Sequence, residues 1–210
     1  MPGIIGLALA AYLIGSIPFG FVVGKARGVD LRTIGSGNLG ATNVYRAFGF
    51  KTAILVFLLD LAKGLVGARV LPMLWTVDLG LEWVRIICGL SAIAGSVACI
   101  YLRFRGGKGV AASVGVFLGL SPIVTAICLG IWGALFAGFR YVSLGSIVGA
   151  AALPVLIALL GGGGFRRDPV FYLALVVAII VIMRHRSNIR RLLEGKENRI
   201  GMRRGDHAGL

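Results

Sequence analysis

Apolar residues along the chain gather into seven runs, roughly 3–24, 52–72, 84–103, 109–120, 122–139, 142–160 and 169–184, divided by short basic or glycine-rich stretches. Several approach the roughly 20 residues a helix needs to cross a bilayer. The pattern predicts an all-α integral membrane protein with seven transmembrane helices. The fourth and fifth runs could instead form one tilted helix, since only Gly119, Ser121 and Pro122 interrupt 109–139. Charge separates these alternatives. With seven spans and the N-terminus outside, 17 of the 22 Lys and Arg face the cytoplasm, as does the C-terminus. Only Arg69, Arg85, Arg166 and Arg167 face outward, and Lys63 lies within a span. Merging the two runs would put the basic C-terminal tail opposite the first two basic loops, against the positive-inside rule.

The first run, Gly3 to Gly24, lacks a basic leader and exceeds a signal-peptide core, so it reads as a retained span. Residues 1–199 are expected to form a single membrane-embedded domain, with 200–210 as a basic cytoplasmic tail.

Composition agrees: 58% of the 210 residues are hydrophobic and mean hydropathy is +0.92. Among 33 glycines, Gly20-x-x-x-Gly24, Gly115-x-x-x-Gly119 and Gly145-x-x-x-Gly149 have the spacing of close helix interfaces. A net charge of +14 invites a nucleic-acid reading. The cations sit in loops between apolar runs, however, without interleaved aromatics or zinc spacing, so no nucleic-acid partner is expected. Membrane lipid and phosphate are the better match. Cys88, Cys99 and Cys128 lie in apolar runs without paired spacing, which argues against disulfides and metal sites.

Two polar segments carry the chemistry. Gly35-Ser36-Gly37-Asn38-Leu39-Gly40-Ala41-Thr42-Asn43 precedes the second run, with Arg46 just after it, and Phe104-Arg105-Gly106-Gly107-Lys108-Gly109 interrupts the middle. Glycines let backbone N–H groups crowd an anion, Ser, Thr and Asn add neutral donors, and Arg46 and Lys108 add charge. Ser36, Thr42 and Asn43 are also good N-cap types, and a capped helix start can hold phosphate as well. Asp60 and Lys63, three apart within the second run, can neutralise one another on one helix face.

With Gly15-Ser16-Ile17-Pro18-Phe19-Gly20, Arg140-Tyr141-Val142-Ser143-Leu144 and Arg184-His185-Arg186-x-Asn188-Ile189-x-Arg191-Leu192-Leu193, these segments resemble the PlsY family in order from about residue 12 to 199. The family comprises bacterial seven-span acyl-phosphate:glycerol-3-phosphate acyltransferases with a cytoplasmic active site in the inner membrane. The resemblance implies transfer of a fatty acyl group from acyl phosphate to the primary hydroxyl of sn-glycerol 3-phosphate, giving lysophosphatidic acid and phosphate. It implies no metal and no cofactor. By resemblance Ser36, Arg46, Lys108, His185 and Asn188 are the catalytic positions. Gly35, Gly37, Asn38, Gly40, Thr42, Asn43, Gly106, Gly107, Arg140 and Ser143 bind substrate. His185 is expected to position substrate more than to accept a proton, no carboxylate being evident to tune it.

One departure stands out. Gly95-Ser96-Val97-Ala98-Cys99 occupies the place of the family's usual Gly-His-x-Phe/Tyr-Pro, and Ser96 cannot carry charge near neutral pH. A non-catalytic or divergent lipid-phosphate binder is therefore the rival reading. An organic-anion or phosphate transporter is weaker, because transporters gather binding groups near the midplane and these cluster at one face.

Overall fold

In the computed structural model, residues 2–74, 80–160 and 168–201 are described, and among them every regular element is helical. The residues expected in outer loops, Thr76–Leu79, Gly161–Gly164, Arg166 and Arg167, and the tail beyond Gly201, lie outside the described residues.

Each of the seven apolar runs is mainly helical. The first is α1 (Pro2–Ser16) followed by α2 (Phe19–Ala26), with Ile17 and Pro18 between them. Proline has no N–H to donate and pushes the preceding residue out of the α region, so the helix breaks there. At the break the Ile17 carbonyl accepts from the Phe19 N–H and also from Lys63 Nζ at 3.1 Å. Lys63 in turn pairs with Asp60 at 2.7 Å, so the expected pair forms and acts within the bundle.

After the amphipathic α3 (Ala41–Phe48), the second run extends from α4 (Phe50–Leu65) through a π-helical turn and a 3-10 turn to Leu74. The others are α5 (Leu81–Val97), α6 (Val110–Leu120), α7 (Pro122–Phe139), α8 (Val142–Leu160) and α9 (Pro169–Arg184), and α10 (Arg186–Leu193) follows. Ser121 leaves the helical region with φ −144° and ψ 73°, and Pro122 opens α7. Residues 109–139 are therefore two helices, as the charge pattern predicts.

Among the described residues, four helical stretches are long and apolar enough to cross a membrane: Gly3–Ala26, Leu81–Leu102, Pro122–Phe139 and Val142–Leu160. A fifth is added if α9 and α10, bent by 59°, count as one. The chain is thus a multi-pass helical membrane protein. At 11 residues α6 is the outlier: about 16 Å of helix covers only half of a hydrocarbon core of roughly 30 Å.

Small residues set the packing. A Cβ on Gly64 would stand 2.0 Å from the Ala112 carbonyl oxygen, and one on Gly115 would stand 1.9 Å from that of Leu61. Helices α4 and α6 therefore touch backbone to backbone, which only glycine permits at those two positions. The Gly145 spacing serves the same purpose beneath Trp132 of α7, whereas Gly20 lies against the Leu39 carbonyl of the first polar loop. Along α7 the outward side chains are apolar, Ile123 being 73% exposed, as a lipid-facing helix requires.

Candidate functional site

The first glycine segment is held by one side chain. Asn43, only 1% exposed in the first turn of α3, donates from Nδ2 to the carbonyls of Leu31 (3.0 Å) and Ile34 (3.1 Å). Its Oδ1 accepts from the Ser36 N–H at 3.0 Å. A Cβ at Gly35 would stand 2.3 Å from that oxygen, and Gly35 has φ +58°, so only glycine suits the turn. The N-cap of α3 is Gly40, without a side-chain cap, so none of Ser36, Thr42 or Asn43 fills the capping position. Thr42 and Asn43 are helical, and Asn43 reaches back to brace the loop.

The second segment docks differently from the expectation of free donors. The Gly106 N–H donates to the Val97 carbonyl (3.1 Å) and the Gly107 N–H to that of Ser96 (2.9 Å). A Cβ on Gly106 would stand 2.4 Å from the Ser96 carbonyl oxygen, so a close approach, not an anion, demands this glycine. The carbonyls of Gly106 and Gly107 accept from the Arg184 guanidinium at 3.0–3.2 Å. Position 96 meets the loop through its backbone, so serine in place of histidine leaves the docking intact.

Lys108 then projects from a fixed loop and donates from Nζ to Asn188 Oδ1 in the first turn of α10. Asn188 Nδ2 donates to Glu197 Oε1 at 2.7 Å, Ser143 Oγ donates to the same oxygen at 2.8 Å, and Arg191 Nε donates to Oε2 at 2.7 Å. Glu197 is 5% exposed and ties α8, α10 and the following segment to Lys108. Burial pushes its carboxyl up, but the bonds from Asn188, Ser143 and Arg191 outweigh this and hold it below its ordinary 4.5. Asn38 links the two glycine segments: its Oδ1 accepts from the Gly40 N–H at 3.4 Å and lies 3.7 Å from a Cβ position on Gly107. The starts of α3, α6 and α10 thus converge, each with positive potential at its N-terminus.

Burial and then the nearby Arg191, Arg46 and Arg184 lower the Lys108 ammonium to about 8, against the pull of Glu197. His185 is 3% exposed, and its Nδ1 lies 2.8 Å from the Val181 carbonyl. A carbonyl only accepts, so Nδ1 carries the proton and Nε2 offers a lone pair. Burial and the positive Lys108 lower the ring to about 4, so it is neutral near pH 7. A carboxylate does bear on this histidine after all, since Glu197 favours its charged form.

Ser36, Asn38, Gly40, Asn43, Gly107, Lys108 and Asn188 are therefore brought together. Ser143 belongs to the supporting shell, turned to Glu197. Arg140 is directed elsewhere: its carbonyl accepts from the Ile200 N–H at 3.0 Å, and its guanidinium lies 3.7 Å from a Cβ position on Gly201. Arg46 is exposed in the last turn of α3 and is close enough to repel Lys108. Sequence reasoning missed Glu197 and Arg184. The available signal for Glu197 was that it and Glu194 are the two acids among Arg190, Arg191, Lys196 and Arg199.

Residues 5–195 match the family model described as glycerol-3-phosphate acyltransferase. The chain belongs to the glycerol-3-phosphate acyltransferase family. It is 48% identical over 193 residues to the Geobacter sulfurreducens glycerol-3-phosphate acyltransferase, covering 92% of this chain and 95% of that one. To the Aquifex aeolicus glycerol-3-phosphate acyltransferase it is 42% identical, covering 92% and 97%. The fold matches crystal structures of PlsY (YgiH), an integral membrane glycerol 3-phosphate acyltransferase. The glycerol 3-phosphate form superposes with TM-score 0.85 at 41% identity, covering 94% of this chain and 96% of that one. The lysophosphatidic acid form gives 0.82 at 40%, covering 94% and 95%. The chain itself carries both glycine segments, the Lys108–Asn188 pair and Ser96.

Proposed function

We propose that the protein transfers a fatty acyl group from an acyl phosphate to the primary hydroxyl of sn-glycerol 3-phosphate, releasing lysophosphatidic acid and inorganic phosphate. The observation that carries this reading is Lys108, held by Asn188 and Glu197 beside two linked glycine segments, with Arg46, Arg184 and Arg191 near it. Such a cluster suits two phosphate-bearing reactants that would otherwise repel each other. The solved PlsY forms with glycerol 3-phosphate and with lysophosphatidic acid support the acceptor and the product.

An acyl phosphate is a mixed anhydride with a good leaving group, so holding and orienting the reactants does most of the work. Attack forms an ester C–O bond and breaks the bond between the acyl carbon and the phosphate oxygen. In this reading Lys108 and Arg46 hold phosphate, Arg46 through its two-point fork. Ser36, Thr42 and the α3 start complete the cradle that Asn43 braces. His185 Nε2 accepts a hydrogen bond from the glycerol hydroxyl and orients it. A ring titrating near 4 is a weak base, so the hydroxyl proton passes to a phosphate oxygen of the substrates.

We further place seven crossings in a bacterial inner membrane, with the N-terminus outside and the site on the cytoplasmic side. Positive-inside segregation supports that orientation. Gly64, well inside the second run, meets Ala112 at the start of α6. In this reading α6 is the short crossing, and Lys108 stands in the cytoplasmic loop before it. Position 96 docks the second glycine segment through its carbonyl, a contact that does not depend on the side chain there.

The test is turnover of purified protein with glycerol 3-phosphate and either palmitoyl phosphate or palmitoyl-CoA, with and without chelator. Lysophosphatidic acid and phosphate should form from palmitoyl phosphate at an unchanged rate in chelator, and little product from the thioester. Robust turnover with palmitoyl-CoA alone, or loss of activity on chelation, would overturn the reading.

A further inference from the structure

Near the glycine segments lies a second cationic feature. A cavity of about 360 Å³ is lined by Arg32, Tyr101, Leu102, Arg103 and Arg105. Three guanidinium side chains border it. The carboxylate engaged with them is Asp30, which binds Arg32 at 2.6 Å and leaves a net positive lining. Like charges gathered around an open cavity repel one another unless an anion joins them. Arg32 is also fixed from behind, its guanidinium carbon standing 5.0 Å from the Phe21 ring centre.

The backbone here is specialised. Arg103 has φ +53° and ψ +48°, and Phe104 follows with φ +62°. Two consecutive non-glycine residues in the left-handed region are costly, and such conformations concentrate where a site needs them. The turn is closed by the Phe104 N–H to the Cys99 carbonyl at 2.8 Å and the Arg105 N–H to that of Leu102 at 3.1 Å. It brings Arg103 and Arg105 to one cavity and leaves Phe104 outward, 64% exposed. Tyr101 at 56% and Ile100 at 42% are exposed beside it. Phosphate-binding cations beside outward aromatic and aliphatic side chains form an amphipathic site of the kind found at a membrane interface.

We propose that this cavity is a second phosphate-binding site, distinct from the Lys108 cluster, that docks the headgroup of an anionic phospholipid. A phosphomonoester headgroup matches arginine forks and supplies the missing negative charge. The exposed Ile100, Tyr101 and Phe104 would lie along the lipid's chains, which favours a lipid over free phosphate. Two lining residues connect the cavity to the glycine segments: a Cβ on Gly37 would stand 3.2 Å from the Arg32 carbonyl oxygen, and Arg105 leads directly into Gly106.

Native mass spectrometry of the full-length protein tests this, with phosphatidic acid, phosphatidylcholine or inorganic phosphate added. The comparison variants are Arg103→Asn combined with Arg32→Gln, and Lys25→Gln combined with Lys51→Gln. Asparagine suits the left-handed backbone at 103. Wild type should retain one phosphatidic acid at concentrations where phosphatidylcholine is lost, and the arginine variant should weaken that affinity at least tenfold while the lysine variant does not. Equal retention by the arginine variant, or equal loss in the lysine variant, would overturn the site in favour of diffuse attraction. Inorganic phosphate binding as tightly as phosphatidic acid would overturn the lipid assignment. Turnover in phosphatidylcholine nanodiscs separates the remaining alternative. The arginine variant should keep its KM for acyl phosphate there, and a several-fold rise would mark a substrate subsite and overturn the proposal.

Discussion

Replacing Glu197 by glutamine keeps the shape of the side chain and removes its charge, which isolates what the carboxylate contributes. Glu197 accepts from Ser143 and Asn188 on one oxygen and from Arg191 on the other. Glutamine has only one acceptor oxygen. If that oxygen stays with Ser143 and Asn188, the amide NH₂ faces the Arg191 donor; if it turns, two donors lose their partner. Either way at least one charge-assisted bond is lost in a buried setting, costing about 1.5–3 kcal/mol.

For a chain of this size that corresponds to roughly 3–12 °C in Tm, at about 2–4 °C per kcal/mol. Catalysis should change in a way that simple destabilisation does not explain. Glu197 favours the charged form of Lys108, which titrates near 8. The active form in our reading is the ammonium, so kcat/KM should fall as pH rises through that value. Removing Glu197 lowers the Lys108 pKa further, so this alkaline limb should move to lower pH. The assay is kcat/KM for glycerol 3-phosphate between pH 6 and pH 9.5, set beside thermal unfolding in detergent. An unmoved alkaline limb with full turnover would refute the claim that Glu197 acts through Asn188 on Lys108. The carboxyl is itself held below its ordinary 4.5. Its stabilisation is therefore present above that value and lost as pH falls through the folded pKa.

Lys108→Ala and Arg46→Ala should each lower kcat/KM by about ten- to a hundredfold or more, from about 1.5–3 kcal/mol per charge-assisted bond, whereas Lys25→Ala should leave it nearly unchanged. A comparable loss in Lys25→Ala would point to bulk charge and not to a phosphate site. Asn43→Ala strands the Leu31 carbonyl and the Ser36 N–H, while the Ile34 carbonyl keeps the Gly37 N–H, at about 1–3 kcal/mol for each group left unsatisfied. It should raise KM for glycerol 3-phosphate more than it lowers kcat, and an unaltered KM would show that Asn43 does not brace the cradle. Tags after Leu210 should be reached only from the cytoplasm and tags within Gly161–Gly164 only from outside. Finding both on one side would end the seven-crossing arrangement.

The helical segments, the break at Ser121-Pro122 and the two glycine segments were legible in the sequence, because each follows from local composition. Apolar length dictates helices in lipid, proline removes a backbone donor, and glycine marks close approach or positive φ whatever the distant partners are. The pairing of Asp60 with Lys63 was legible for the same reason, being local to one helix. The partners that give these residues their tasks were not. Nothing within a few residues of Gly106 says that its N–H meets the Val97 carbonyl, or that Arg184 closes the other side. Lys63 was read against Asp60, but its bond to Ile17 spans 46 positions. Glu197 looked like one acid in a basic tail, and only folding set it beneath Asn188 and Lys108, where burial turns a weak surface attraction into a fixed network. Sequence alone determined which segments are apolar and helical and which residue types could hold phosphate. The tertiary structure decided which of those groups are free to do so, because a donor already paired with a carbonyl cannot also hold a ligand.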